Sequence, residues 1–135
     1  MNDSAFEALS ILIVDDDARI RRALARTLEL DGHLVTIAAT AAEALSVIGS
    51  QTWNVVCIDA QLPDLSGCDL AREIRSRGVA SLLVAVTGYA STFGDPAFFW
   101  PGVDAVLPKP WRASELDEVM RMATEHRRAI EFQAA

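Results

Sequence analysis

The chain has 135 residues, of which 51% are hydrophobic and 23% charged, a balance that suits one globular domain and excludes a disordered or fibrous chain. Its 12 Lys and Arg against 19 Asp and Glu leave a net charge of −7, which argues against direct contact with nucleic acid phosphates. The N-terminal residues lack the pattern of a signal peptide, and no apolar run approaches the roughly 18 residues of a membrane span, so a cytoplasmic protein away from the membrane is expected.

In chain order, residues 10–14 (SILIV) form a first apolar run that stops at Asp15, Asp16 and Asp17. Apolar or small residues at Ile20, Ala23, Leu24, Thr27 and Leu28 then mark the inner face of an amphipathic helix, with Asp17 as its N-cap and Gly32 as its stop. Residues 34–38 read as a second strand. Thr40 and Glu43 form a capping box for a second helix, with Ala41, Ala44, Leu45 and Ile48 inward and Gly49 at its end.

The third strand is the most informative stretch, NVVCIDAQLPDLSG over residues 54–67. Four apolar residues run into Asp59 and are followed by the turn formers Pro63, Asp64, Ser66 and Gly67, the pattern of a strand buried on both faces. Trp53 is expected to pack where this strand begins, and Cys57 and Cys68 read as reduced packing residues without metal-ligand spacing. A third helix over 68–77 turns Ala71 and Ile74 inward, and residues 81–86 form a fourth strand ending at Thr87. Gly94, Pro96, Pro101 and Gly102 limit the fourth helix to one or two turns. A fifth strand over 103–107 runs into Pro108, Lys109 and Pro110. Ser114 with Asp117 resembles a cap for a long last helix that turns Leu116, Val119, Met120, Ala123 and Ile130 inward. His33 and His126 read as surface residues, and Arg127 and Arg128 as charges favouring their helix terminus. Five strands alternating with helices through short links predict a doubly wound α/β domain with a parallel sheet.

Four of the strands deliver a polar group to one edge: Asp15 and Asp16, Asp59, Thr87, and Lys109. Clustered carboxylates repel one another unless a cation lies among them, and hard oxygen donors suit Mg²⁺. A lysine and a hydroxyl beside one carboxylate make a setting for moving a phosphoryl group onto that carboxylate.

The motifs ILIVDDD, VVCIDAQLPDLSG, LLVAVTG and LPKPW, in this order, resemble the receiver domain of two-component response regulators, from about residue 10 to about 127. The resemblance implies one receiver domain over 1–135 with a flavodoxin-like sheet of order 2-1-3-4-5 and five helices. It implies Asp59 as phosphoacceptor, Asp15, Asp16, Asp59 and the Gln61 backbone carbonyl as ligands of Mg²⁺ (or Mn²⁺), Thr87 as switch hydroxyl, and Lys109 as phosphate partner with a cis bond to Pro110. Gln61 and Tyr89 would govern water access to the acyl phosphate. A histidine kinase or histidine phosphotransfer domain would donate the phosphoryl group, and a downstream protein would read the result.

The chain departs from the family pattern in three places. Val106 stands where an aromatic switch residue is usual, Trp111 follows Pro110 where Phe is common, and the short fourth helix carries Phe98, Phe99 and Trp100. That apolar cluster, with Trp111, is a candidate docking or homodimer surface, with core packing as its alternative. Two rival functions stay open. One is a receiver-like binding domain that works without phosphorylation; the other is a haloacid-dehalogenase-type phosphatase using Asp15 and Asp17, although Ala18 and Arg19 replace the residues that family places after its acid pair.

Overall fold

Alternating apolar runs and helical stripes assemble into a five-stranded parallel sheet of order β2-β1-β3-β4-β5 in a computed structural model that describes residues 6–88 and 101–134. The strands are β1 (Ser10–Val14), β2 (Leu34–Ala38), β3 (Val55–Asp59), β4 (Leu82–Thr87) and β5 (Ala105–Pro108). The helices among the described residues are α1 (Ala18–Leu30), α2 (Ala41–Val47), α3 (Gly67–Ser76) and α4 (Ala113–Ala134). The expected short helix between β4 and β5 lies outside the described residues.

Successive side chains of a strand point to opposite faces. Ile11, Ile13, Val55, Cys57, Val84 and Val86 therefore join Leu24 and Leu28 of α1 and Leu116, Val119 and Ala123 of α4 in one core. Leu12, Val14, Val56, Ile58, Leu83 and Ala85 join Ala41 and Ala44 of α2 and Leu70, Ala71 and Ile74 of α3 in the other. Every residue of β3 and β4 is buried, as continuous apolar runs require of central parallel strands. Cys57 sits in this dry interior, where burial pushes its thiol up to about 12, so it is an inert packing group.

Several local expectations change once the elements dock. The inner face of α1 is Leu24, Ala25 and Leu28, while Ala23 and Thr27 face solvent and Ile20 is half-buried. β5 starts at Ala105 because the Asp104 carboxylate takes the Leu83 N–H at 2.9 Å, a donor that a longer ladder would use. The last helix begins at Ala113, and Glu115, not Ser114 with Asp117, closes its start by accepting the Arg112 N–H at 2.7 Å. Met120 is half-buried and Ile130 exposed, so only the first half of that helix is covered.

Arg75 of α3 ties the entrances of β4 and β5 together. Its guanidinium donates to the carbonyls of Val79, Ser81 and Gly102 at 2.8–2.9 Å and to Asp104 Oδ2 at 2.6 Å. Gly102 has φ +92°, and a Cβ there would meet Arg75 Cγ at 2.9 Å, so this close approach needs glycine.

His33 is buried, contrary to the surface position expected for it. The turn after α1 passes beneath residues 6–9, where the Leu9 N–H donates to His33 Nδ1 at 3.0 Å and the Phe6 ring lies 5.2 Å from the imidazole. The expected terminal role of Arg127 and Arg128 also gives way. α4 runs on to Ala134, and the two arginines instead hold the Ala8 carbonyl (2.8 Å) and Glu7 (2.9 Å) of that N-terminal segment. His126 is half-buried, with Nε2 2.6 Å from the Ala80 carbonyl.

Burial, partly offset by Asp31, holds the His33 imidazole below its ordinary value of 6.5. The unfolded chain takes up this proton near 6.5 and the folded chain only at lower pH. Between those two values the unfolded state binds more protons, so stability falls as pH drops through that window. Urea unfolding at pH 7.5 and pH 5.5 will show this loss, and His33→Gln will flatten the slope while lowering stability at the higher pH.

Candidate functional site

Register brings the site together. Val14 pairs with Ile58 and Asp59 with Val86, so Asp15 and Asp59 leave neighbouring strands on the same rim of the sheet. Pro108 pairs with Thr87, and the Lys109 N–H donates to the Thr87 carbonyl at 3.1 Å, which turns the lysine back over the ends of β4 and β3. Lys109 Nζ then lies 2.8 Å from Asp15 Oδ2 and 2.9 Å from Asp59 Oδ1. The Lys109–Pro110 peptide bond is cis.

Asp16 completes the group: one oxygen from each of Asp15, Asp16 and Asp59 lies within 4.8 Å of the others. A cavity of about 440 Å³ opens above them, walled by Asp16, Asp59, Gln61, Thr87, Gly88 and Lys109. Asp15, Asp59 and Thr87 are buried, whereas Asp16 and Gln61 face solvent. The site is therefore a rim pocket with a dry floor and an open mouth.

Local bonding explains how the acids are held. Asp15 Oδ1 accepts the Asp17 N–H at 2.9 Å and Oδ2 meets Lys109, which together hold its carboxylate, while Arg21 donates to its backbone carbonyl at 2.8 Å. Asp17 caps α1 through the N–H groups of Arg19 and Ile20, the role expected for it. This occupies the second acid that a phosphatase reading would need.

Burial, reinforced by the charges of Asp15 and Asp16, pushes the Asp59 carboxyl above its ordinary value, against the pull of Lys109. Burial draws the Lys109 ammonium down, but its bonds to Asp15 and Asp59 outweigh that, and its pKa is raised. At an effective dielectric of about 20, two like charges ~4.8 Å apart repel by roughly 3.5 kcal/mol. Three carboxylates around one ammonium leave a local charge that a further cation would relieve. Converging carboxylate oxygens at this spacing are the donor set of a hard divalent ion.

Residues 11–121 match the family model described as the response regulator receiver domain. The chain belongs to that family. The receiver is 36% identical over 111 residues to the response regulator MprA of Mycolicibacterium vanbaalenii, covering 82% of this chain and 48% of that protein. It is 32% identical over 128 residues to MprA of Mycobacterium ulcerans, covering 95% and 55%. The chain thus spans about half the length of these relatives. Among solved structures, a CheY-like receiver domain protein from Methanospirillum hungatei superposes with a TM-score of 0.78 at 32% identity, over 91% of this chain and 99% of that one. The response regulator TrrA of Thermotoga maritima, in complex with Mg²⁺-BeF, gives 0.75 at 28% identity, over 85% and 98%. Receivers of this family are phosphoacceptor modules of two-component signalling.

Of the other residues singled out in the sequence, Val106 is half-buried against the core on the α2 and α3 side, and Trp111 is half-buried against the opposite core. Tyr89, Phe98, Phe99 and Trp100 lie outside the described residues. Asp64, read as a turn residue, lies in the bend after β3 and also accepts the N–H groups of Ala41 and Ala42 at 3.0 and 2.9 Å. No local signal marks that pairing, because its partners lie 22 and 23 positions earlier.

In metal-free buffer at pH 7, Asp59→Asn will raise the urea midpoint, since it removes a buried charge repelled by Asp15 and Asp16. A raised carboxyl loses stability as pH climbs from 3.8, where the unfolded chain ionises, to its own higher value. The advantage of the variant will therefore shrink as the pH is lowered toward 4, and chemical denaturation across that range checks it.

Proposed function

We propose that Asp59 is the phosphoacceptor of this receiver and takes its phosphoryl group from a histidine kinase or a histidine phosphotransfer domain. The observation that carries this reading is the Lys109 ammonium set between Asp15 and Asp59, with Asp16 alongside, on one open rim. In the transfer, an Asp59 oxygen forms a bond to phosphorus while the phosphorus–nitrogen bond of the donor phosphohistidine breaks, and its electron pair stays with the departing imidazole. Lys109 is placed to follow the developing charge on the phosphoryl oxygens, as positioned cations do in phosphoryl transfer. Thr87, buried at the pocket wall, offers a hydroxyl to the product.

Asp15, Asp16, Asp59 and the Gln61 backbone carbonyl would hold Mg²⁺ or Mn²⁺. The bound ion would neutralise phosphoryl charge. The Mg²⁺ in the Thermotoga relative supports this assignment. The domain acts on its own phosphoryl group alone, so it is a switch and not an enzyme for external substrates. The added charge and acceptor oxygens bias Thr87 and the chain leading from β4 to β5, which a downstream protein or a second copy reads. Val106 in place of an aromatic residue means that any such readout proceeds without a ring moving inward on β5.

We place the domain in the cytoplasm, as one unit over 1–135 with a core of about 10–127. No helix among the described residues is long and apolar enough to cross a membrane.

Incubation with acetyl phosphate and Mg²⁺, followed by intact mass measurement, will give a single phosphoryl adduct that Asp59→Asn abolishes. Lys109→Ala will slow adduct formation by on the order of 10²-fold, the usual cost of losing one charge-stabilising group. A wild-type protein that stays unmodified would instead favour a receiver-like fold working without phosphorylation.

A further inference from the structure

The start of α2 uses more partners than its own sequence supplies. A helix start leaves backbone N–H groups without acceptors inside the helix. Thr40 Oγ1 takes the Glu43 N–H at 3.1 Å, the Thr40 carbonyl takes the Ala44 N–H at 3.1 Å, and the Glu43 carboxylate reaches back to the Ala39 N–H at 2.8 Å. The N–H groups of Ala41 and Ala42 remain, and Asp64 accepts both, one on each carboxylate oxygen.

Asp64 belongs to the loop that carries the chain from Asp59 into α3. The loop closes on itself through the Gly67 N–H to the Ala60 carbonyl, at 2.9 Å, and through a bridge between Gln61 and Ser66. Ala60, Gln61, Leu62 and Pro63 form one wall of the acid pocket. Asp64 follows directly, so its two bonds hold that wall against a helix on the far side of the loop. Charge-assisted bonds of this kind are about twice as strong as neutral ones. Loop and helix are therefore coupled: drift of the wall would give up both bonds to the first turn of α2, where Ala41 is buried while Ala42 and Asp64 face solvent.

We propose that Asp64 is a positioning residue for divalent-ion binding, acting by fastening the Gln61-bearing loop to the start of α2. This inference rests on the reading that Asp15, Asp16 and Asp59 bind such an ion. Coupling is reciprocal, so ion binding must in turn steady the Ala41 and Ala42 amides.

Calorimetric titration of the full chain with Mg²⁺ tests the idea. Asp64→Ala will weaken Mg²⁺ binding by about tenfold, the scale typical of losing a group that orients a metal ligand. Asp64→Asn, which keeps one acceptor and guards against a folding failure of the alanine variant, will fall between the two. Thr40→Ala weakens the same helix start while leaving the tether in place, and its Mg²⁺ affinity will match wild type. Amide exchange at Ala41 and Ala42 will slow on adding Mg²⁺ to wild type but not to Asp64→Ala. Equal affinities for Asp64→Ala and wild type, or an equal loss in Thr40→Ala, would overturn the positioning role while leaving the ion site intact. Failure of wild type to bind Mg²⁺ would overturn the ion site itself, and the positioning role with it.

Discussion

Three carboxylates share one rim with a single ammonium, and much of the domain serves to keep them there. Asp15, Asp16 and Asp59 would separate if their backbones were free, since each repels the other two at 4.8 Å or less. The parallel ladder prevents this. Asp15 follows a strand that is hydrogen-bonded on both sides, and Asp59 ends another whose five residues are all buried. Lys109 can answer the two buried acids only because β5 ends beside β4, with its own N–H fixed to Thr87. The energy of the two hydrophobic layers thus holds in place an electrostatic arrangement that would not persist alone.

Supports for this rim come from distant parts of the fold. Arg75 ties the far ends of β4 and β5 through four acceptors, which keeps the short edge strand in the register that presents Lys109. Asp64 fastens the wall beyond Asp59 to α2. Residues 6–9, held by His33, Arg127 and Arg128, link the turn after α1 to the last helix. Apart from Arg128, which meets the Glu7 carboxylate, each of these side chains meets backbone groups where strands or helices end, which is where unsatisfied donors and acceptors collect. The pocket itself is left open, with Asp16 and Gln61 at its mouth facing solvent.

How much was readable beforehand differs by kind of feature. Strand runs such as SILIV and VVCI, and the acids that stop them, stand out because burial on both faces demands continuous apolar residues and ends abruptly at the rim. Alternation of these runs with helical stripes implied a parallel sheet, and the sheet order matches the one implied by the family resemblance. Asp17 and Thr40 announced their helix caps through local spacing, and both cap as read. The face of α1 is legible at Leu24 and Leu28 but not at Ala23 and Thr27, which face solvent while Ala25 is buried, because hydrophobicity alone does not choose among such small residues.

The sequence by itself determined the order of the strands and of the helices among the described residues, the doubly wound class, and which acidic, hydroxyl and ammonium residues end their strands at one edge. Those are consequences of periodicity and punctuation, which act over a few neighbouring residues. Only the tertiary structure decided that His33 lies buried against Leu9, that Asp64 closes the start of α2, that Arg75 holds Asp104, and that Arg128 reaches Glu7. Those partners are 24, 22, 29 and 121 positions apart. A polar side chain with several possible acceptors or donors commits to one only when packing of the apolar faces has brought distant backbone within hydrogen-bonding reach.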